Sequence, residues 1–274
     1  MMTDHVSSEE VQQYDRQIRV WGFETQSRLK NARIWVVSLN SVGSEVVKNL
    51  ALAGVGSILL IDNRLVSDIA PQSFLIRPDA DPSQTVAQAS LDSALSINAH
   101  CNIIVKEDLN PCSDDIVIHC STILEPIDTI CPRVWCFSAS HLCFCGFDFE
   151  GSGFASILSR LKASAFVFSG HLSSVLCTFL SLMYFINVER KSPSFSDLCE
   201  FVNSKVSKSQ QKSTDSVCKQ VFDCFQSNES NYPASMAIAG LCCQEVIRFI
   251  GKTDGVDGII LFDLEEGKAP IVSL

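Results

Sequence analysis

The sequence has 274 residues, of which 46% are hydrophobic and 19% charged, and its net charge is −10. That is enough apolar material for one large domain with a buried core. The negative balance argues against a general nucleic-acid or anionic-membrane binder, because both reward an excess of Lys and Arg.

Taken in chain order, Ser7 and Glu10 have the spacing of a capping box that opens a helix. Val11, Tyr14, Ile18 and Trp21 fall on one face, with Asp15, Arg16 and Arg19 off it. Gly22 ends that helix, and a short second helix runs to about Asn31. Next comes "RIWVVSLNSVGSEVVKNLALAGVGSILLID". Ile34 to Val37 reads as a strand and Ser44 to Ala53 as a helix with Val46, Val47 and Leu50 inward. Ile58 to Ile61 is a second strand, closed by Asp62. This is a βαβ unit with a short turn between strand and helix. Further strands are predicted at Ile103–Val105, Ile116–His119 and Val134–Phe137, with a helix over roughly 83–98. The fold class is α/β: a doubly wound, mostly parallel Rossmann-like sheet with a helical insertion.

After Glu150 the pattern changes. "GSGFASILSRLKASAFVFSG" leads into another predicted strand. The apolar, charge-free run at 172–186 is shorter than the ~20 residues of a bilayer span, so it reads as a buried helix. Residues 190–232 are polar, with helical phrases "FSDLCEFVNSKV" and "VCKQVFDCF" around a mobile stretch near "SKSQQKSTDS". "YPASMAIAGLCCQEVIRFI" is a helix, and "GIILFDLEEGKAPIVSL" gives two closing strands around a turn at Glu266–Gly267. The expected divisions are 1–160 for the core, 161–232 for the insertion and 233–274 for the return to the core.

Thirteen cysteines contain no CxxC pair, so a zinc clip of the usual spacing is not supported. The opening "MMTDHVSSEE" has no apolar run, and no secretory signal is expected. Free thiols fit a reducing cytosol or nucleus. Most of the cysteines read as small core residues.

Three features bear on the nucleotide pocket that this fold usually carries. A working phosphate cradle wants glycines in the first turn, so that the backbone can approach the phosphates at a helix N-terminus. Here the turn is "SLNSVGSE", where Ser38, Asn40 and Ser41 stand in place of glycines and Gly43 alone remains. The simpler reading of Gly43 is a packing requirement of the turn. Asp62 suits either a ribose hydroxyl or a strand-end cap. The fourth strand ends in Cys120, Ser121 and Thr122, with no carboxylate for a Mg²⁺-assisted adenylation. His119 reads as a core or sheet-face residue. Together these describe a degenerate nucleotide pocket.

"YDRQIRVWG", followed by "KNLALAGVGSILLID", "SFLI" and "YPASMAIAGLCCQEVI", resembles the activating enzymes of the ubiquitin-like modifiers, with a ThiF/MoeB-like fold. Within that family the likeness is to the small, non-catalytic subunit of the heterodimeric SUMO-activating enzyme, over essentially the whole chain. The resemblance implies a subunit inactive alone, with no cofactor or metal of its own. ATP and Mg would be bound by a catalytic partner subunit, and SUMO would be met through the complex. Neither nucleic acid nor a membrane is an expected partner, and the expected place is the nucleus, with the cytoplasm as a second. In the family, an arginine of the "YDRQ" helix reaches the partner's ATP phosphates. Carried over, it is Arg16, acting in trans. A guanidinium suits that role because it stays charged and its fork matches phosphate oxygens. Arg19 is predicted to pair with Asp15 at i,i+4, and Tyr14 and Trp21 to pack.

Departures from the family's active half agree with this assignment. Arg64 stands where that half has an aspartate facing ribose or magnesium, and "APQS" replaces an "NxxRQ" phrase before Phe74. No thioester role is expected of the cysteines, although Cys136, Cys143 and Cys145 lie near the fifth strand. The same resemblance leaves the degenerate subunit of the NEDD8-activating enzyme as an alternative, disfavoured by the compact length. A homodimeric adenylating enzyme for sulfur-carrier proteins would want the glycine turn, the arginine phrase and the aspartate. A nicotinamide-dependent oxidoreductase would want a GxGxxG turn and a substrate site.

Overall fold

A computed structural model of the chain describes residues 6–68, 73–121, 131–139, 142–149, 174–187, 189, 191–206, 214–226, 231–253, 258–263 and 271–273. The N-terminal elements are α1 (Ser8–Gln13), α2 (Asp15–Trp21) and α3 (Phe23–Asn31). The capping box is present: the Glu10 N–H donates to Ser7 Oγ at 3.2 Å and the Ser7 N–H to Glu10 Oε2 at 2.9 Å. The single helix predicted up to Trp21 is bent at Tyr14, whose φ of −98° and ψ of 13° leave the helical region. The bend turns the Tyr14 ring into the core, where Asn98 Nδ2 donates to its hydroxyl at 2.7 Å.

The sheet begins with β1 (Arg33–Val37), followed by α4 (Ser41–Ala53) and β2 (Ser57–Ile61). After α5 (Val86–Leu95) come β3 (Asn102–Val105), β4 (Ile116–His119), β5 (Arg133–Ala139) and β6 (Leu142–Asp148). The strands β7 (Gly258–Asp263) and β8 (Ile271–Ser273) close it. The spatial order is β3-β2-β1-β4-β5-β6-β7-β8. The pairings from β3 through β5 are parallel, and those from β5 through β8 are antiparallel.

The five strands predicted up to Phe137 are present. The sixth, "LCFCGFD", is an addition to that reading. It pairs in register with β5, placing Cys136 opposite Cys145 and Phe137 opposite Phe144. The strand expected within 151–170, the stretch at 207–213 and the turn at Glu266–Gly267 lie outside the described residues.

Alternation along the strands sends Ile34, Val36, Ile58, Leu60, Ile116 and Ile118 to one face of the sheet. There they meet α4, α5 and α9 (Tyr232–Gly251) in the main core. The α9 helix is capped by Asn231, whose Oδ1 accepts from the Ala234 N–H at 3.3 Å. It is long and apolar enough to cross a bilayer. In the fold its inner face, including Ile238, Cys242, Cys243 and Val246, is buried. On the other face of the sheet, Trp135, Phe144 and Ile259 pack with α6 (Ser174–Asn187), α7 (Phe195–Lys205) and α8 (Thr214–Gln226). The apolar run predicted as a buried helix is therefore α6, whose Phe179, Leu180 and Met183 are buried. Ser194 caps α7 by a capping box with Asp197.

Candidate functional site

At the C-terminal edge of the parallel strands, β1 is flanked by β2 and β4, so the chain direction of the crossovers reverses there. Open α/β sheets bind ligands at this switch point. A cleft of about 890 Å³ lies there, lined by Ser38, Asp62, Asn63, Arg64, Glu107, Asn110 and Ser121 among others.

The first turn is built for closure. A Cβ on Gly43 would stand 2.0 Å from the Ser38 carbonyl oxygen, so this glycine is required by the close approach of helix and strand. Ser38 itself holds a φ of +72°, a backbone region that glycine occupies without strain. Asn40 caps α4: its Oδ1 accepts from the Val42 and Gly43 N–H groups, both at 3.0 Å, and its Nδ2 donates to the Cys120 carbonyl at 2.6 Å. The N–H groups that would face a phosphate thus already have an internal acceptor.

Asp62 is equally engaged. Its side chain is 2% exposed and accepts from the Leu39 N–H at 2.8 Å. Arg64 turns back two residues and donates to both carboxylate oxygens, Nε at 2.8 Å and Nη2 at 2.6 Å. The same Nη2 donates to Ser38 Oγ at 3.1 Å. The Asp62 hydrogen bonds raise the Arg64 pKa further. A ribose hydroxyl would find this carboxylate occupied, so the strand-end role of Asp62 prevails.

At the tip of β4, His119 is fully buried and stacked on Trp135 at 6.4 Å between centroids. Burial, with the Arg133 charge added, brings its pKa down to about 3, so it is a neutral sheet residue as expected. Cys120 is also buried and its thiol is pushed up by burial. Ser121 follows, and Thr122 lies outside the described residues. Among the described residues at this edge, the first-turn N–H groups and the Asp62 carboxylate that a nucleotide would meet already have partners within the chain.

The "YDRQIRVWG" segment lies elsewhere. Gln17 Nε2 donates to the Leu52 carbonyl at 3.0 Å, and Gln26 Nε2 to the Ala53 carbonyl at 2.9 Å. Trp21 Nε1 donates to Gln26 Oε1 at 3.0 Å. Gly54, at φ +83°, caps α4 there, and a Cβ on it would meet Gln26 and Tyr14 at 2.7 Å. These contacts fasten α2 to the C-terminal end of α4. Leu52 is twelve residues from Asn40, which at 1.5 Å per residue is about 18 Å along the helix. Arg16 therefore stands about a helix length from the chain's own cleft. Its side chain is exposed and, among the described residues, makes no ion pair. Arg19 pairs with Asp15 at 2.8 Å as predicted. Beside them Val20 is 81% and Phe23 50% exposed.

The sequence is similar to SUMO-activating enzyme subunit 1 of several vertebrates. It is 35% identical to the Xenopus laevis protein over 162 residues, covering 56% of this chain and 46% of that one. Identity is 46% to the Danio rerio protein over 107 residues, covering 39% and 30%. For the human protein it is 34% over 161 residues, covering 54% and 46%. The chain spans less than half the length of these curated relatives. Among solved structures, the fold resembles PaaA, with a TM-score of 0.61 at 16% identity over 100% of this chain and 76% of that one. It also resembles Escherichia coli MccB with ATP, with a TM-score of 0.58 at 16% identity over 98% and 73%. The ThiF family model matches residues 14–268, and the chain belongs to the ThiF family.

Proposed function

We propose that this chain is the non-catalytic subunit of a SUMO-activating heterodimer. A catalytic partner subunit holds ATP and Mg, adenylates SUMO and carries it as a thioester. This chain completes the partner's site with Arg16, whose guanidinium would stabilise charge developing on the leaving pyrophosphate. The pair works in the nucleus, with the cytoplasm as a second place.

The observation that carries this reading is the contrast in hydrogen bonding across α4. The groups of the chain's own cleft that would meet a nucleotide are held by Asn40 and Arg64, while Arg16 stands unengaged among the described residues at the other end. The names of the relatives favour SUMO over NEDD8 as the modifier.

SUMO-dependent ATP–pyrophosphate exchange tests the proposal. The purified chain alone should give none, and the reconstituted pair should give strong exchange. Arg16→Ala in the pair should reduce exchange on the order of 10²-fold, the loss seen for comparable charge-stabilising groups. Exchange by the chain alone would overturn the non-catalytic assignment. An unchanged rate with Arg16→Ala would overturn the role in trans.

A further inference from the structure

Three cysteines that the proposed function does not use converge in the main core. Cys136 on β5 and Cys145 on β6 are register partners across an antiparallel pair. Cys242 comes down from the inner face of α9. The three sulfurs lie within 4.8 Å of one another, and all three residues are fully buried. Each belongs to the apolar cluster between the sheet and α9. Burial keeps the Cys136 and Cys145 thiols protonated well above their ordinary range. Cys136 Sγ uses its hydrogen on the Ile238 carbonyl at 3.6 Å.

We propose that Cys136, Cys145 and Cys242 form a capture site for a trivalent, thiophilic ion, of which arsenite is the representative. Charge selects the valence. Three thiolates around a divalent ion would leave a net negative charge in the apolar core, and around a monovalent ion two, which is expensive without a partner cation. A trivalent ion leaves none. Arsenite is As(OH)₃ at neutral pH. Its reaction with the trio forms three As–S bonds and breaks three As–O and three S–H bonds, releasing three waters. Neither arsenic nor sulfur changes oxidation state, so no oxidant or reductant is required.

The geometry is close to what such a site needs. Soft-ion–thiolate bonds are about 2.3 Å, as for zinc, and at the roughly 100° angles of a pyramidal trivalent arsenic they set sulfurs about 3.5 Å apart. From separations within 4.8 Å, the trio reaches this by closing at most about 1.3 Å. Entry requires a local opening of α9 from the sheet. Capture is therefore slower than at the exposed Cys112, and the bound ion ties α9 to β5 and β6.

The test uses the full chain carrying Cys112→Ala and Cys199→Ala, which removes the exposed and half-buried thiols. One equivalent of arsenite is added, and the arsenic edge is read by X-ray absorption. Three sulfur ligands per arsenic, one arsenic per chain and a raised melting temperature are expected. Adding Cys242→Ser should lower the sulfur count to two or fewer and weaken binding at least about tenfold. Cys145→Ala should do the same, and stands in if the serine variant does not fold by circular dichroism. Fewer than three sulfurs in the parent, or undiminished binding in a folded trio variant, would overturn the site. Tighter binding of zinc than of arsenite by the trio would overturn the choice of a trivalent ion.

Discussion

At the N-terminal end of α4, Arg64 folds back on a carboxylate that is almost wholly buried in the wall of the chain's own cleft. At the C-terminal end, Arg16 projects from a helix fastened by its neighbours and carries no partner among the described residues. Both side chains hold the same group at the same charge. What separates them is whether the local backbone brings a carboxylate within reach. The guanidinium of Arg64 completes an internal network, whereas that of Arg16 has its donors exposed to solvent.

Mutations can break or sharpen this contrast. The largest effect on the fold is expected from Gly43→Ala, because the new Cβ meets backbone rather than a movable side chain. Overpacking of this kind costs about 3 kcal/mol, and a lowered urea midpoint would register it. Arg64→Ala comes next. It leaves the Asp62 carboxylate buried with only the backbone N–H groups of Leu39 and residue 64 as donors, at about 2 kcal/mol once the half-exposure of Arg64 is allowed for. Calorimetry on that variant should still detect no ATP binding, because Asn40 keeps its hold on the first turn. Tight binding would mean that Arg64 alone keeps a nucleotide out.

A pH series reaches His119 at the tip of β4. Its folded pKa, about 3, lies below the ordinary 6.5, so below pH 6.5 the unfolded chain binds a proton that the folded chain refuses. The associated stability is complete above about pH 6.5 and declines by up to about 1.4 kcal/mol per pH unit as pH falls toward 3. Denaturant melts at pH 7 and pH 5.5 should show the loss, and His119→Phe should flatten it. The smallest effect belongs to the outward arginines. Arg19→Ala breaks an ion pair whose side chains are 76% and 51% exposed, and both it and Arg16→Ala should change folding stability by less than about 0.5 kcal/mol. A larger loss for Arg16→Ala would place that residue inside the fold and remove the contrast.

The parallel half was legible because its signals are local. Continuous apolar runs marked β1 and β2, and the spacing of Val46, Val47 and Leu50 marked the buried side of α4. The capping box and the Asp15–Arg19 pair are likewise neighbours in sequence. β6 was missed because "LCFCGFD" draws on cysteine and glycine rather than β-branched residues, and its partner strand gives it its register. The departure of Arg64 from an acidic pattern could be read from the sequence. Its return to Asp62 could not, since that depends on how the loop turns after β2. The Tyr14 hydroxyl finds its partner in Asn98, 84 residues away, and the cysteine trio joins β5, β6 and α9 across about a hundred residues.

Tyr14, Gln17 and Gln26 together have a consequence for association. Each ties the N-terminal segment to a separate polar group, the Asn98 amide and the Leu52 and Ala53 carbonyls. The backbone freedom of α2 is therefore surrendered during folding. A binding event that used Arg16 would have only the side chain left to order, against roughly 1–2 kcal/mol per residue if the segment had to be fixed on contact. In such an event the glutamines and the tyrosine hydroxyl would contribute affinity without touching the bound molecule, by having removed the entropy of presentation beforehand.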